Sequence, residues 1–410
     1  MNPKNRIKTI LGAVLVLVVT SVVPAETPPR EAPSHPGLLT SDGSRVEAKD
    51  LYPDFSWATV PRYMHVRKAT AFTEKEIQFL SHFPLITFEK TTGAKEFGST
   101  EKGTLRAAEA VKKINPRAKI LYYRNIIVHY AAYDVDASME QIPGALLIDA
   151  TGNTKLIRGR VSAYDLSNRA LQEWWLAHVE AYCRSAYIDG LFIDGNIKVL
   201  EPAFLRQELG AEKKAAVERG YHRMMSGIHE TLGPNKLVIA NIIRARFPDA
   251  GVGYADYFDG SYIEGFEHAV GGLSREEYMA KGIAGIQTAA RSGKIIAFTM
   301  GMGEIKATKM GIDEARGEIL DQAALQKRLV YALANFLVCA EKYSYFLPHD
   351  GYGVDSGESL LWMKDIPEFN RPLGAPKGAA VKSGWIYTRE FEHARVWLDL
   401  ESEKAEVIWN

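Results

Sequence analysis

Short apolar runs alternate with longer amphipathic stretches through most of the chain, and the alternation is regular enough to count. Eight runs predict strands: Tyr63 to Arg67, Leu85 to Glu89, Ala118 to Arg124, Ile188 to Asp194, Lys236 to Asn241, Tyr257 to Glu264, Lys294 to Thr299 and Tyr343 to Leu347. Helical periodicity falls between most of them, at Thr73 to Ser81, Gly103 to Ile114, Asn168 to Arg184, Ala211 to Leu232, Ser274 to Arg291 and Leu320 to Glu341. Start and stop signals agree: Ser274 precedes Glu276-Glu277, and Gly233-Pro234 follows Leu232. The strand cores Ile120 to Tyr123, Gly190 to Ile193, Leu237 to Ala240 and Ile295 to Phe298 are continuously apolar, as parallel strands buried on both faces require. Eight such strands with helical crossovers predict an α/β fold, a (β/α)8 TIM barrel. An open doubly wound sheet is the alternative, but no GxGxxG or GxxxxGK[ST] turn follows the first strand to mark its nucleotide site.

Three departures from this rhythm divide the chain further. After the eighth strand come Gly384 to Phe391, Ala394 to Leu400 and Ala405 to Trp409, rich in β-branched and aromatic residues. They predict a small C-terminal antiparallel β appendage at residues 373–410, packed on a barrel of residues 57–372. The link from the third to the fourth strand, Asn125 to Tyr187, is long and helical only near its end, which predicts a substrate-binding loop at the barrel mouth. The link Ile242 to Asp256 is short, and a degenerate helix is expected there.

At the other end, Lys4, Arg6 and Lys8 precede an apolar run from Ile10 to Val23, and Val23-Pro24-Ala25 offers a cleavage site. Residues 1–25 thus read as a signal peptide for a secreted or periplasmic protein, with no stable membrane insertion after cleavage. The Pro-, Glu- and Ser-rich residues 26–56 read as linker and N-terminal extension.

The 410 residues carry 50 Lys and Arg against 50 Asp and Glu, so no net charge drives binding to nucleic acid or an anionic membrane. Cys183 and Cys339 both lie in helical segments and are expected to be buried thiols rather than a disulfide. No CxxC, HExxH or dense His/Cys/Asp cluster is present, so neither a metal nor a cofactor is expected. Asp134 and Asp136 in the long loop match no calcium-loop motif.

Catalytic groups of such a barrel come from the carboxyl ends of its strands. Asp194 ends the fourth strand ahead of Gly195, whereas Asp189 at its start reads as a structural cap. Glu264 ends the sixth, with Glu267 as a fallback acid. Alternate strands share an interior layer, so strands four and six can aim two carboxylates at one point. That is the arrangement glycoside hydrolysis needs, one carboxylate as nucleophile or water activator and the other as proton donor. Tyr262, Ile263 and Phe266 are expected to give Glu264 apolar surroundings that help it keep its proton. Tyr122, Arg124, Asn125, Asn241, Arg244, His349 and Asp350 read as substrate-binding residues, offering donors to sugar hydroxyls or uronate carboxylates. Arg67 and Glu89, ending the first two strands, either join them or pair with one another. Tyr130, Tyr133, Trp57 and Trp362 are candidate stacking surfaces for a sugar ring, and Trp174 and Trp175 read as packing residues.

The Asp-Gly-Leu-Phe-Ile-Asp strand at 189–194, the Ser-Tyr-Ile-Glu-Gly-Phe strand at 261–266, and Gly374 to Ala380 followed by Gly384 to Phe391 form a recognisable set. From about residue 60 to the end, the chain resembles hypothetical glycosyl hydrolase family 15, exported bacterial barrel proteins expected to act on polysaccharides. The resemblance implies a glycosidase whose partner is a poly- or oligosaccharide. Retaining barrel enzymes acting on α-linked sugars often carry the nucleophile on strand four and the acid/base on strand six, which here implies Asp194 and Glu264. Two other functions remain open from the residues: a polysaccharide lyase, with Arg124 or Arg244 neutralising a uronate and Tyr122 or His349 exchanging the proton, and a carbohydrate-binding barrel without turnover.

Overall fold

The computed structural model describes residues 51–302, 322–355, 359 and 361–410. The signal peptide and the beginning of the last predicted helix lie outside them. Eight strands form one parallel sheet in chain order: β1 (Met64–Val66), β2 (Leu85–Phe88), β3 (Lys119–Asn125), β4 (Gly190–Asp194), β5 (Leu237–Asn241), β6 (Gly260–Ile263), β7 (Ile295–Gly301) and β8 (Ser344–His349). Backbone bonds from Phe346 to Pro61 and from Tyr63 to Phe346 join β8 to the lead of β1 and close the ring. The chain is therefore a TIM barrel, as the run of apolar strand cores predicts.

Helices α1 (Glu74–Leu80), α2 (Thr100–Ile114), α3 (Arg169–Cys183), α4 (Arg206–Ser226), α5 (Arg275–Arg291) and α6 (Gln322–Cys339) cover the outside. Thr73 and Ser274 close capping boxes with Glu76 and Glu277, so the orphan N–H groups of α1 and α5 are satisfied locally. Gly210, at φ 77°, interrupts α4, so its regular part starts at the predicted Ala211. That segment does not reach Leu232 in one piece: it breaks at Gly227, and a short helix, Ile228–Leu232, completes it. Between β5 and β6 the crossover shrinks to the 3-10 turn Gly253–Tyr257, the degenerate helix expected there.

Parity along the strands sorts the core into two shells. Leu121, Tyr123, Phe192, Leu237, Ile239, Tyr262 and Ala297 fill the barrel interior. Their neighbours Tyr122, Leu191, Ile193, Val238 and Phe298 pack in the layer under the helices. Of the stretch expected to be linker, Tyr52 and Phe55 pack against the interior cluster, and the Tyr345 hydroxyl donates to the Pro53 carbonyl at 3.0 Å.

The C-terminal sheet has four antiparallel strands, β9 (Val381–Ser383), β10 (Ile386–Glu390), β11 (Ala394–Asp399) and β12 (Lys404–Trp409), one more than the pattern predicts. It is tied to α6 through Arg389, which is buried and donates to the Leu337 and Val338 carbonyls at 3.0 and 3.3 Å. A cation there meets the exposed carbonyl end of the helix. Cys183 and Cys339 are buried free thiols.

Candidate active site

The carboxyl ends of the strands surround a cavity of about 870 Å³. Asp194 and Asn241, which end β4 and β5, and Glu264, which directly follows β6, share its wall. The Asn241 Nδ2 donates to Asp194 Oδ1 at 3.3 Å and to Glu264 Oε2 at 3.0 Å, so one amide spans both carboxylates. Arg244 sets the direction of that amide by donating to its Oδ1 at 3.0 Å, and the same guanidinium lies 3.7 Å from Glu264.

Asp194 is held from a second side. The Tyr123 hydroxyl and the Asn125 amide donate to its Oδ2 at 2.6 and 3.1 Å, which leaves Oδ1 with Asn241 alone. The Asn125 Oδ1 accepts from the backbone of Ile127 and Val128, so this amide is locked by the start of the long loop. Gly195 makes the geometry possible, since at φ 85° it turns directly from β4 into the short helix Asn196–Leu200, and a Cβ there would stand 2.5 Å from Asn125 Oδ1. Gly195→Ala is expected to cost about 2 kcal/mol through left-handed strain and this collision. Denaturant unfolding checks the loss.

Glu264 sits differently from expectation. Tyr262, Ile263 and Phe266 are buried in the interior and in the layer behind the sheet, while polar groups face the carboxyl. The Tyr352 hydroxyl donates to Oε1 at 3.1 Å, Asn241 holds Oε2, and the side chain is 42% exposed to the cavity. Tyr352 in turn meets the Tyr262 hydroxyl and stacks on His349 at 4.3 Å.

Beside this pair, Glu89 accepts from Lys90 at 2.8 Å and lies 3.6 Å from Arg67 and 3.8 Å from the buried His65. Burial pushes the Glu89 pKa up, but the Lys90 charge and the His65 contact override it and bring it down to about 2. The Lys90 ammonium stands over the rings of Tyr123 and Tyr130, 5.0 Å from each centroid.

Several expected substrate contacts are not in the cavity. Register pairs Asn125 with Asp194 and Arg124 with Ile193, so Arg124 and Tyr122 point away from the interior. Arg124 is fully buried over the Tyr133 ring at 4.0 Å, and Tyr122 stacks on Tyr182 while its hydroxyl meets His178 at 3.0 Å. His349 is buried beneath Tyr352, and Asn125 braces Asp194 without lining the cavity. Asp350 does line it, accepting from Ser359 and the Leu361 backbone. Glu267 is no reserve acid, because Arg275 and Arg328 pin it and draw its pKa below the usual range against its burial. Of the four candidate stacking rings only Tyr130 lines the cavity; Trp57 packs on Phe391, Trp362 on Phe79, and Tyr133 under Arg124. Asp189 accepts from the Ile120 backbone and from Lys112, the structural role expected of it.

The layer behind β3 has a pH consequence. Burial and the Arg124 charge push His178 from 6.5 down to about 3, so the native state keeps it neutral where the unfolded chain takes a proton. Stability is therefore expected to fall as pH drops from 6.5 toward 3, by up to about 1.4 kcal/mol per pH unit for this group. Unfolding free energies of the protein and of His178→Gln across that range check it, the variant giving the shallower slope.

No cluster of three or more His, Cys, Asp or Glu side chains is arranged for a metal among the described residues. Asp134 is taken up by Ser99 and Lys102, and Asp136 by His129 and the Tyr133 backbone. No helix among them is long and apolar enough to cross a membrane.

Residues 112–395 match the family model of hypothetical glycosyl hydrolase family 15. The chain belongs to that family. The match takes in β3 to β8 and the first two strands of the C-terminal sheet, and so contains Asp194, Asn241 and Glu264 of this family member. No curated protein matches the chain in sequence. Among solved structures it is similar to an α-galactosidase from Geobacillus stearothermophilus, at 10% identity and a TM-score of 0.46, over 85% of this chain and 48% of that one. A maltogenic α-amylase from Thermotoga neapolitana gives 11% identity and 0.45, over 83% and 85% of the two chains. An Anoxybacillus α-amylase gives 9% and 0.48, over 84% and 87%. The chain thus spans about half the length of the α-galactosidase.

Proposed function

We propose that this protein is a glycoside hydrolase that cleaves a poly- or oligosaccharide with retention of anomeric configuration. The observation that carries the proposal is the Asn241 amide donating to both Asp194 and Glu264 across one open cavity. A single nitrogen bonded to both oxygens limits their separation. With amide hydrogens spread by roughly 120°, the gap is on the order of 5 to 6 Å, near the roughly 5–5.5 Å of retaining enzymes and short of the roughly 6.5–9.5 Å that inverting enzymes need for a water.

In the first step Asp194 Oδ1 attacks the anomeric carbon while protonated Glu264 gives its proton to the departing glycosidic oxygen. A glycosyl ester on Asp194 and a free alcohol result. In the second step Glu264, now a carboxylate, takes a proton from water as the water oxygen displaces Asp194 from the same carbon. Tyr123, Asn125 and Asn241 position the nucleophile, and Tyr352, Asn241 and Arg244 position the acid/base.

The lyase reading loses its parts: of Arg124, Arg244, Tyr122 and His349, only Arg244 lines the cavity. We also propose export, on the strength of the basic start and the apolar run from Ile10 to Val23. A mass-resolved product screen on neutral and anionic glycans tests the activity. Saturated products carrying one added water per cleavage support hydrolysis, whereas unsaturated uronate ends or binding without turnover would sink it.

A further inference from the structure

The charges lining the cavity are unequal in a chain that is neutral overall: seven cationic side chains face five carboxylates. Four of the cations are matched. Arg67 and Lys90 meet Glu89, Arg246 meets Glu201, and Arg244 lies beside Glu264. The other three, Arg158, Arg160 and Lys198, form no ion pair among the described residues.

Two of these three are presented by a purpose-shaped turn. Ile157 and Val161 pair, Arg160 N–H closes on the Ile157 carbonyl, and Arg158 and Gly159 occupy the two central positions at φ 52° and 67°. That is the type I′ geometry, in which Asn or Gly sits at lower cost than arginine in the first central place. The chain holds an arginine there, exposed at the cavity, with a second one directly after the glycine. Lys198 belongs to Asn196–Leu200, immediately after Asp194 and Gly195.

Neutral sugars are held by hydrogen bonds to their hydroxyls and by stacking on flat rings, and the cavity offers little surface for the second. Tyr130, Phe204 and Tyr352 are its aromatic residues; Lys90 stands over Tyr130, and Tyr352 is stacked on His349. An acidic sugar faces a different balance. Asp194 and Glu264 repel its charge, so its acidic group needs cations on the cavity wall that no carboxylate already neutralises, and Arg158, Arg160 and Lys198 supply them.

We propose that the cavity takes a glycan bearing acidic groups, carboxylate or sulfate, held by Arg158, Arg160 and Lys198 while Asp194 and Glu264 flank the bond to be cleaved. The inference deepens the hydrolase reading and rests on it for the place of the scissile bond. Planar guanidinium forks suit both acidic groups through paired N–H···O bonds, and the ammonium adds a point charge.

The test is binding to Asp194→Asn, in which turnover is removed, using oligogalacturonates, the same oligosaccharides after carboxyl reduction, sulfated galactan oligosaccharides that carry no carboxylate, and a single-stranded oligonucleotide. The expected result is at least about tenfold tighter binding of an acidic glycan than of the reduced one, weakening with salt. A further Arg158→Glu/Arg160→Glu change should erase that preference, with the circular dichroism spectrum showing the fold retained. Preference for galacturonate over sulfate, or the reverse, names the acidic group. Equal or tighter binding of the reduced glycan, no glycan binding, or tighter binding of the oligonucleotide overturns the inference. Activity of the unmutated protein separates the two claims: acidic glycans bound but never hydrolysed count against the hydrolase reading alone, and neutral glycans bound and hydrolysed in preference count against the acidic-glycan inference alone.

Discussion

Asp194→Asn is expected to lower kcat by about four orders of magnitude while leaving affinity for the glycan within a few-fold of the unmutated protein. The amide keeps the shape of the carboxylate but removes the charge that faces the anomeric carbon, and with it the nucleophile. One cost is local. Tyr123, Asn125 and Asn241 all donate to Asp194, and an amide has one oxygen to offer them, so at least one donor is left facing an NH2 group. Kinetics on a substrate found by the product screen measures the loss, with unfolding curves to separate it from a change in stability. Turnover within tenfold of the unmutated protein would remove Asp194 from the mechanism.

Glu264→Gln should produce an effect that depends on the leaving group. For an unactivated glycan the first step loses its proton donor, and kcat falls by about 10²- to 10⁴-fold. An aryl glycoside whose phenolate leaves unaided needs no such help, so its first step survives and the glycosyl ester builds up on Asp194. The second step then lacks its base. A burst of phenolate followed by slow turnover is the expected trace, and azide, which attacks without losing a proton, should restore the rate and yield a glycosyl azide. Equal losses for both leaving groups, with no burst, would mean that Glu264 positions substrate rather than transferring a proton.

Much of the architecture is legible in the sequence because parallel barrel strands must be apolar on both faces, and all eight predicted strands appear within a few residues of their expected bounds. The same property hides which way each side chain points. Hydrophobicity does not distinguish Tyr122 from Tyr123, and Arg124 next to Asn125 looks equally fit for a cavity. Register decides it: with Asn125 opposite Asp194, an inward Asp194 carries Tyr123 and Asn125 inward and sends Tyr122 and Arg124 under the helices. Asp194 and Glu264 follow from their places at strand ends, and Asn241 from lying on the strand between. Tyr352 does not, because its contact with Glu264 spans 88 residues and depends on how the chain folds back after β8. The Arg158–Gly159–Arg160 turn was likewise hidden in a long loop whose pairing no periodic pattern announces. The first strand of the appendage, Val381–Ser383, is exposed and short, and so gives no alternation to read.

The pairing of Asp194 and Glu264 is tested most directly by mass spectrometry of Glu264→Gln quenched during turnover of an aryl glycoside of the sugar identified in the screen. The expected result is a peptide containing Asp194 heavier by one glycosyl residue, absent from Asp194→Asn and lost again on adding azide. A glycosyl adduct on another residue, or steady turnover to an inverted product with no adduct, would contradict it.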